Sequence, residues 1–82
     1  MATKRKFSDI RDIILKTLSG GRKTVNQLAT ESGINWKTVD NHIVYLIGKG
    51  LVRTVFTSPY VKIFEISDEG KEYLNHLEAE AE

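Results

Sequence analysis

Cysteine is absent from the 82-residue chain. Its absence excludes a disulfide framework, a thiolate metal site and a cysteine nucleophile, and it fits an intracellular protein. The two histidines, His42 and His76, make a poor metal site without cysteine, so no metal is expected. Glutamine is scarce, which together with the missing cysteine leans toward a heat-loving source. No apolar run approaches the roughly 20 residues of a membrane span, so no membrane partner is expected. The opening MATKRKFSDI is basic but has no apolar core, unlike a secretion signal. Ser19-Gly20-Gly21-Arg22-Lys23-Thr24 lacks the spacing of a phosphate-binding loop. No Ser/His/Asp grouping stands apart from ordinary surface residues. An enzyme is therefore not expected, and no cofactor is implied. The chain shows no internal repeats or low-complexity segments, and its length suits one small domain.

Acidic residues are scarce through most of the chain. Residues 1–64 hold eleven Lys/Arg and four Asp/Glu, whereas residues 65–82 hold one and seven. The net charge of +1 hides this asymmetry. A basic body with an acidic end suits a polyanion on one face only, although a solvated surface with chance clustering would look similar.

Thr24–Leu51 carries the most local information. Thr24 and Gln27 fit a T-x-x-Q capping box for a helix over Val25–Ser32, whose apolar face is Val25, Leu28 and Ala29. Gly33 is placed to end that helix, and Asn35 caps a second one over Trp36–Lys49, which Gly50 stops. Two short helices joined at a glycine suggest a helix-turn-helix, whose second helix can enter a DNA major groove. On a wheel of 100° per residue, Trp36, Ile43, Leu46 and Ile47 gather within about 80° of Val39 as a core stripe. Lys37, Asn41 and Tyr45 fall opposite, with Thr38 beside them and His42 at the boundary. Asn can bond an adenine edge in two places, Lys can reach guanine or phosphate, and a Thr methyl can meet thymine. Tyr45 can donate to a phosphate oxygen. His42 is expected to bond at this face or to pack at its edge. Asp40 would repel phosphate and belongs at the side, paired with Lys37 or a base of the first helix.

The flanking segments complete the pair. Residues 1–7 read as a disordered basic arm, in which Lys4, Arg5 and Lys6 can bind phosphate or reach a minor groove. A first helix spans Ser8–Leu18, capped by Ser8 or Asp9. Ile10, Ile13, Ile14 and Leu18 form its stripe, and Arg11, Asp12 and Lys16 point outward. Arg22 and Lys23 lie in the loop that follows and could touch phosphate. Leu51–Phe56 and Val61–Ile66 read as a β-hairpin closed by Thr57-Ser58-Pro59-Tyr60. Simple register pairs Leu51 with Ile66 and Arg53 with Phe64, placing Leu51, Arg53, Val55, Lys62, Phe64 and Ile66 on one face. Val52, Thr54, Phe56, Val61 and Ile63 make an apolar opposite face. Ser67 caps a last helix over Asp68–Glu80, with Tyr73, Leu74 and Leu77 as its stripe and Glu78–Glu82 frayed. Gly70 is a poor helix former in its first turn, which points to close packing on the hairpin.

Ala29, Gly33-Ile34, Thr38-Val39, Leu46 and Lys49-Gly50-Leu51-Val52 come in an order and spacing found in a known family, followed by Phe64-Glu65-Ile66-Ser67-Asp68-Glu69-Gly70. Across about residues 8–77 the chain resembles the small winged-helix regulators of archaea and archaeal viruses, and more distantly the MarR, PadR and ArsR groups. The resemblance implies an α+β, mainly helical fold over residues 8–82: a three-helix core, a hairpin wing and a C-terminal helix. It implies a third helix in the major groove, a wing tip at Thr57–Lys62 on phosphates or the minor groove, and dimerisation through the first and last helices. The last helix is short for a coiled coil, and the wing tip lacks arginine, leaving Lys62 and Tyr60 to serve. The expected function is a cytoplasmic, nucleoid-associated transcription regulator that binds double-stranded DNA as a homodimer, with no small-molecule effector inferred. Its expected DNA contacts are Lys4, Arg5, Lys6, Asn35, Lys37, Thr38, Asn41, His42, Tyr45, Arg53, Ser58, Tyr60 and Lys62. An architectural chromatin protein and a winged-helix protein-interaction module are the alternatives.

Overall fold

The computed structural model describes residues 7–80. The arm residues Lys4, Arg5 and Lys6 lie outside the described residues. The element order is α1 (Phe7–Leu18), β1 (Lys23–Thr24), α2 (Val25–Ser32), α3 (Trp36–Gly48), β2 (Val52–Thr57), β3 (Lys62–Ile66) and α4 (Asp68–Glu80). This is a winged helix. α1, α2 and α3 pack together, β2 and β3 form the hairpin, and α4 returns to pack on α1 and β3.

Local chemistry accounts for the helix ends. At α2 the Thr24 hydroxyl accepts from the Gln27 amide at 3.1 Å, and the Gln27 side chain accepts from the Thr24 amide at 2.9 Å. This reciprocal pair satisfies two of the amides that a helix start leaves open. Gly33 ends α2 at φ 74°, in the left-handed region that a Cβ disfavours. Asn35 then caps α3 by accepting from the Lys37 amide at 2.8 Å. α1 is already helical at Phe7, so Ser8 and Asp9 lie inside its first turn instead of capping it.

The core is built from Ile14, Leu15 and Leu18 of α1, Leu28 of α2, Val39, Ile43 and Leu46 of α3, Val52, Phe64 and Ile66 of the hairpin, and Leu74 of α4. Leu15, outside the expected stripe, is fully buried. α1 packs against α2, α3, α4 and β3, so more than one of its faces is enclosed and a single-stripe pattern understates its burial. Two members of the expected α3 stripe depart the other way: Trp36 is 59% exposed and Ile47 38%. They lie on the shoulder of the stripe, and Trp36 borders an open groove with Val25 of α2 instead of packing into the core.

The hairpin register differs from the simple one. Val52 pairs with Ile66, Arg53 with Glu65 and Thr54 with Phe64, and a bulge at Val55 then brings Phe56 opposite Ile63 and Thr57 opposite Lys62. The strands are thus offset by one residue at the base and by two at the tip. Because side chains alternate, a one-residue offset exchanges the faces. Val52 is therefore buried with Phe64 and Ile66, while Leu51 is only partly buried. The loop is Ser58–Val61, one residue later than expected. Lys23, expected in a loop, and Thr24, the cap of α2, pair with Phe64 and Ile63, giving a three-stranded sheet in the order β1-β3-β2.

α4 is tied to the hairpin by one junction. The Ser67 hydroxyl accepts from the Gly70 amide at 3.0 Å and donates to the Gly50 carbonyl at 2.6 Å. A Cβ on Gly70 would overlap the Leu51 carbonyl oxygen and stand 2.6 Å from Ile66 Cγ1. The hairpin therefore packs directly on the α4 backbone. Helix propensity alone would make Gly70→Ala stabilising by about 1 kcal/mol. The overlap with fixed backbone reverses the sign, and the substitution should cost about 1–3 kcal/mol. Denaturant unfolding checks this, and a stability equal to or above the parent's would show that the contact relaxes freely.

Candidate nucleic-acid interface

α3 presents one face away from the core. Lys37 and Asn41 are exposed on it, Thr38 is half-buried, and Tyr45 is 40% exposed at its edge. Asn35 stands at the start of the helix, its side-chain oxygen held by the Lys37 amide. The turn at Gly33 and the Asn35 cap set where α3 begins, and the buried Val39, Ile43 and Leu46 fix its rotation. Local capping and core burial together therefore aim Lys37 and Asn41 outward. Their donors and acceptors match the hydrogen-bonding pattern of base edges in a major groove.

α1 extends this face. The Arg11 guanidinium lies 3.7 Å from the centroid of the Tyr45 ring, and the Lys49 ammonium 5.6 Å from it. A cation over an aromatic face at such distances contributes about 1 kcal/mol at exposed sites. Arg11, Thr38, Asn41, His42 and Tyr45 line one shallow hollow of about 340 Å³. Arg11 thus does not simply point outward, as the stripe pattern implied. It fixes Tyr45 and adds positive charge beside Asn41. Its neighbour Asp12 also turns inward, accepting from the Tyr73 hydroxyl at 3.1 Å and joining α1 to α4. That bond and partial burial hold the Tyr73 phenol above its ordinary pKa, burial being the larger cause. No local pattern in the sequence pairs α1 with α3, so Arg11 could not be placed from spacing alone.

His42 is buried, with 8% of its surface exposed. It packs at the inner edge of the hollow and stands back from the exposed face. Burial lowers its pKa below the usual value near 6.5, and the charge of Arg11 lowers it further. Asp40 makes no ion pair with Lys37 or an α1 base among the described residues. It lines the groove toward the wing instead.

The expected basic contacts divide into engaged and open groups. Arg53 lies opposite Glu65 and pairs with it at 2.8 Å, and Arg22 pairs with the same carboxylate at 3.1 Å. The Arg22 hydrogen bond, aided by both charges, holds the Glu65 carboxyl below its usual pKa. Glu65 thus bridges two arginines across β3, and Arg53 sits at the wing base with a carboxylate beside it. Lys23 pairs with Glu31 at 3.1 Å. Ser58 shapes the wing turn: its hydroxyl oxygen accepts from the Val61 amide at 3.0 Å and the Tyr60 amide at 3.2 Å. That leaves Tyr60, 96% exposed, and the exposed Lys62 as the outward groups of the wing tip. Among the described residues, no group of three His, Cys, Asp or Glu side chains could hold a metal ion, and no helix is long and apolar enough to cross a membrane.

A family model described as bacterial regulatory protein, arsR family, matches residues 8–54, from α1 into the hairpin. No curated protein matches the chain. Among solved structures, it is similar to BldR, a transcriptional regulator from Sulfolobus solfataricus, at 26% identity and TM-score 0.74, covering 82% of this chain and 50% of that one. BpsR of Bordetella bronchiseptica, whose DNA binding is regulated by 6-hydroxynicotinic acid, aligns at 15% identity and TM-score 0.80, covering 88% and 53%. Sso10a-2, a DNA-binding protein from Sulfolobus solfataricus, aligns at 22% identity and TM-score 0.70, covering 84% and 74%. The chain thus spans about half the length of BldR and BpsR.

The lowered His42 pKa means that the folded chain takes up this proton less readily than the unfolded chain. His42 therefore supports folding fully above about pH 6.5, and that support is lost as pH falls through the unfolded value toward the folded one. Thermal unfolding between about pH 8 and about pH 5 should show a fall in Tm that His42→Gln reduces. Equal falls in parent and variant would mean that His42 titrates alike in both states.

Proposed function

The chain belongs to the arsR family of bacterial regulatory proteins, and we propose that it is a transcription regulator that binds double-stranded DNA in a sequence-dependent way. α3 enters the major groove, and the wing lies on the flanking backbone or minor groove. The observation that carries this reading is the outer face of α3. Lys37 and Asn41 are exposed there beside Thr38, while Asp40, the one acid of the helix, lines the groove toward the wing. Asn41 and Thr38 are the base-reading candidates. Lys37, Asn35, Tyr45, Tyr60, Lys62 and the arm residues Lys4, Arg5 and Lys6 are the backbone candidates. Arg11 joins them through its stacking on Tyr45. Arg53 and Ser58 act through the wing's shape, given their partners, and His42 acts from beneath the face.

A homodimer on a partly palindromic site is part of the same proposal. α1 and α4, the elements through which many winged-helix relatives dimerise, pack side by side here. A cytoplasmic, nucleoid-associated location follows from the reading. An archaeal source is in keeping with the likeness to BldR. An architectural protein would instead bind with specific and non-specific affinities nearly equal.

Titrating duplex binding against salt tests the reading. Affinity should fall with a log–log slope of about −0.9 for each phosphate neutralised, and no binding at low salt would sink the proposal. Asn41→Ala should cost roughly 1–3 kcal/mol on the preferred site and relax preference at one position. A uniform loss over all sequences would assign Asn41 to the backbone. Light scattering should return a dimer mass, and a monomer mass in the DNA-bound state would remove the dimer.

A further inference from the structure

Trp36 is the single tryptophan of the chain, and it is 59% exposed at the first position of α3. It does not serve the core. It lines a groove of about 270 Å³ whose opposite wall is the wing tip, with Tyr60 and Lys62. Val25 and Asp40 complete the lining that matters here. The volume falls just under the roughly 300–1,000 Å³ of sites for drug-sized ligands, so one planar ring system suits it better than a larger molecule. Its chemistry is mixed in a particular way. Two aromatic rings and a valine offer stacking surface, Asp40 offers an acceptor, and Lys62 offers a cation.

A nucleotide presents the complementary set: a flat π face, a donor on its edge and an attached phosphate. A base inside an intact duplex does not, because its faces are stacked and its pairing edge is occupied. We propose that this groove binds one unpaired, amino-bearing base of a DNA strand, cytosine being the best match. The base stacks on Trp36 and Tyr60, its exocyclic amine donates to the Asp40 carboxylate, and its phosphate lies against Lys62. Asp40, unfavourable beside a phosphate, is then accounted for as a base acceptor. The groove adjoins the proposed reading face, since Trp36 and Lys37 share the first turn of α3. A strand followed by α3 therefore passes its mouth. The protein would in this way favour sites that are bulged, mismatched or partly melted.

The inference rests on the DNA-binding reading, and one experiment separates the two. Affinity is read from the anisotropy of end-labelled DNA, and in the parent chain also from the fluorescence of Trp36, while three labelled duplexes of common sequence are titrated with the full chain at fixed low salt. One is fully paired, one carries a single bulged cytosine and one a single bulged thymine. The cytosine bulge should quench Trp36 and bind about tenfold tighter than the paired duplex, within the range of a single base–aromatic stack. The thymine bulge should gain less. Trp36→Ala should bring the ratio of bulged to paired affinity close to one, and Trp36→Phe, which keeps a stacking face, should restore most of it. Asp40→Ala should erase the difference between cytosine and thymine. Equal binding of paired and bulged duplexes overturns the groove proposal and leaves the duplex reading standing, as does a preference that survives Trp36→Ala. Failure to bind any of the three overturns both.

Discussion

The junction between the end of α3 and the start of α4 sets the geometry of everything that meets DNA in this reading. The Leu51 amide donates to the Leu46 carbonyl, and the Ser67 amide donates to the Leu51 carbonyl, each at 3.0 Å. The Ser67 hydroxyl reaches the Gly50 carbonyl and receives the Gly70 amide. One serine thereby joins three elements: the stop of α3, the base of the hairpin and the first turn of α4. Gly70 permits it, because only a residue without Cβ lets the Leu51 carbonyl lie so close to the helix backbone. Were this contact looser, the wing would change its angle to α3, and the groove between Trp36 and Tyr60 would change with it.

Charge is distributed unevenly on this frame. At the wing base Glu65 is shared by Arg22 and Arg53, and Lys23 is matched to Glu31. Each of these pairs has one exposed partner, and such ion pairs contribute little stability. Their consequence is mainly spatial, since they leave the wing base closer to neutral. Lys37 and Lys62 remain without a carboxylate partner among the described residues. Arg11 and Lys49 flank the Tyr45 ring. Two cations without a carboxylate beside them, Lys37 and Lys62, thus lie on α3 and at the wing tip, where a duplex would run in the proposed mode.

α3 has two different edges. Toward α1, the Arg11 guanidinium stacks on Tyr45 and His42 is buried, beside a shallow hollow. Toward the wing, Trp36 and Asp40 border an open groove. The exposed face between them carries Lys37 and Asn41.

Much of this was legible along the chain because it rests on neighbours in sequence. The T-x-x-Q box, Gly33, Asn35 and Ser67 act within three or four residues, so the bounds of α2, α3 and α4 followed from them closely. The 3.6-residue period gave the outward placement of Lys37 and Asn41. Tertiary packing decided the rest. The hairpin register depends on a bulge at Val55 and on docking of Val52 and Ile66 into the core, and neither leaves a local signal. Enclosure of α1 on several sides buried Leu15 and turned Arg11 and Asp12 inward, against a single-stripe pattern. Trp36, apolar and on the stripe's shoulder, looked like core and proved exposed, because whether a shoulder position is covered depends on the neighbouring element. The sequence by itself determined that a helix-turn-helix with a wing would form. Only the folded chain decided which cations keep a carboxylate beside them and what surrounds α3, because those outcomes depend on contacts between residues far apart in sequence.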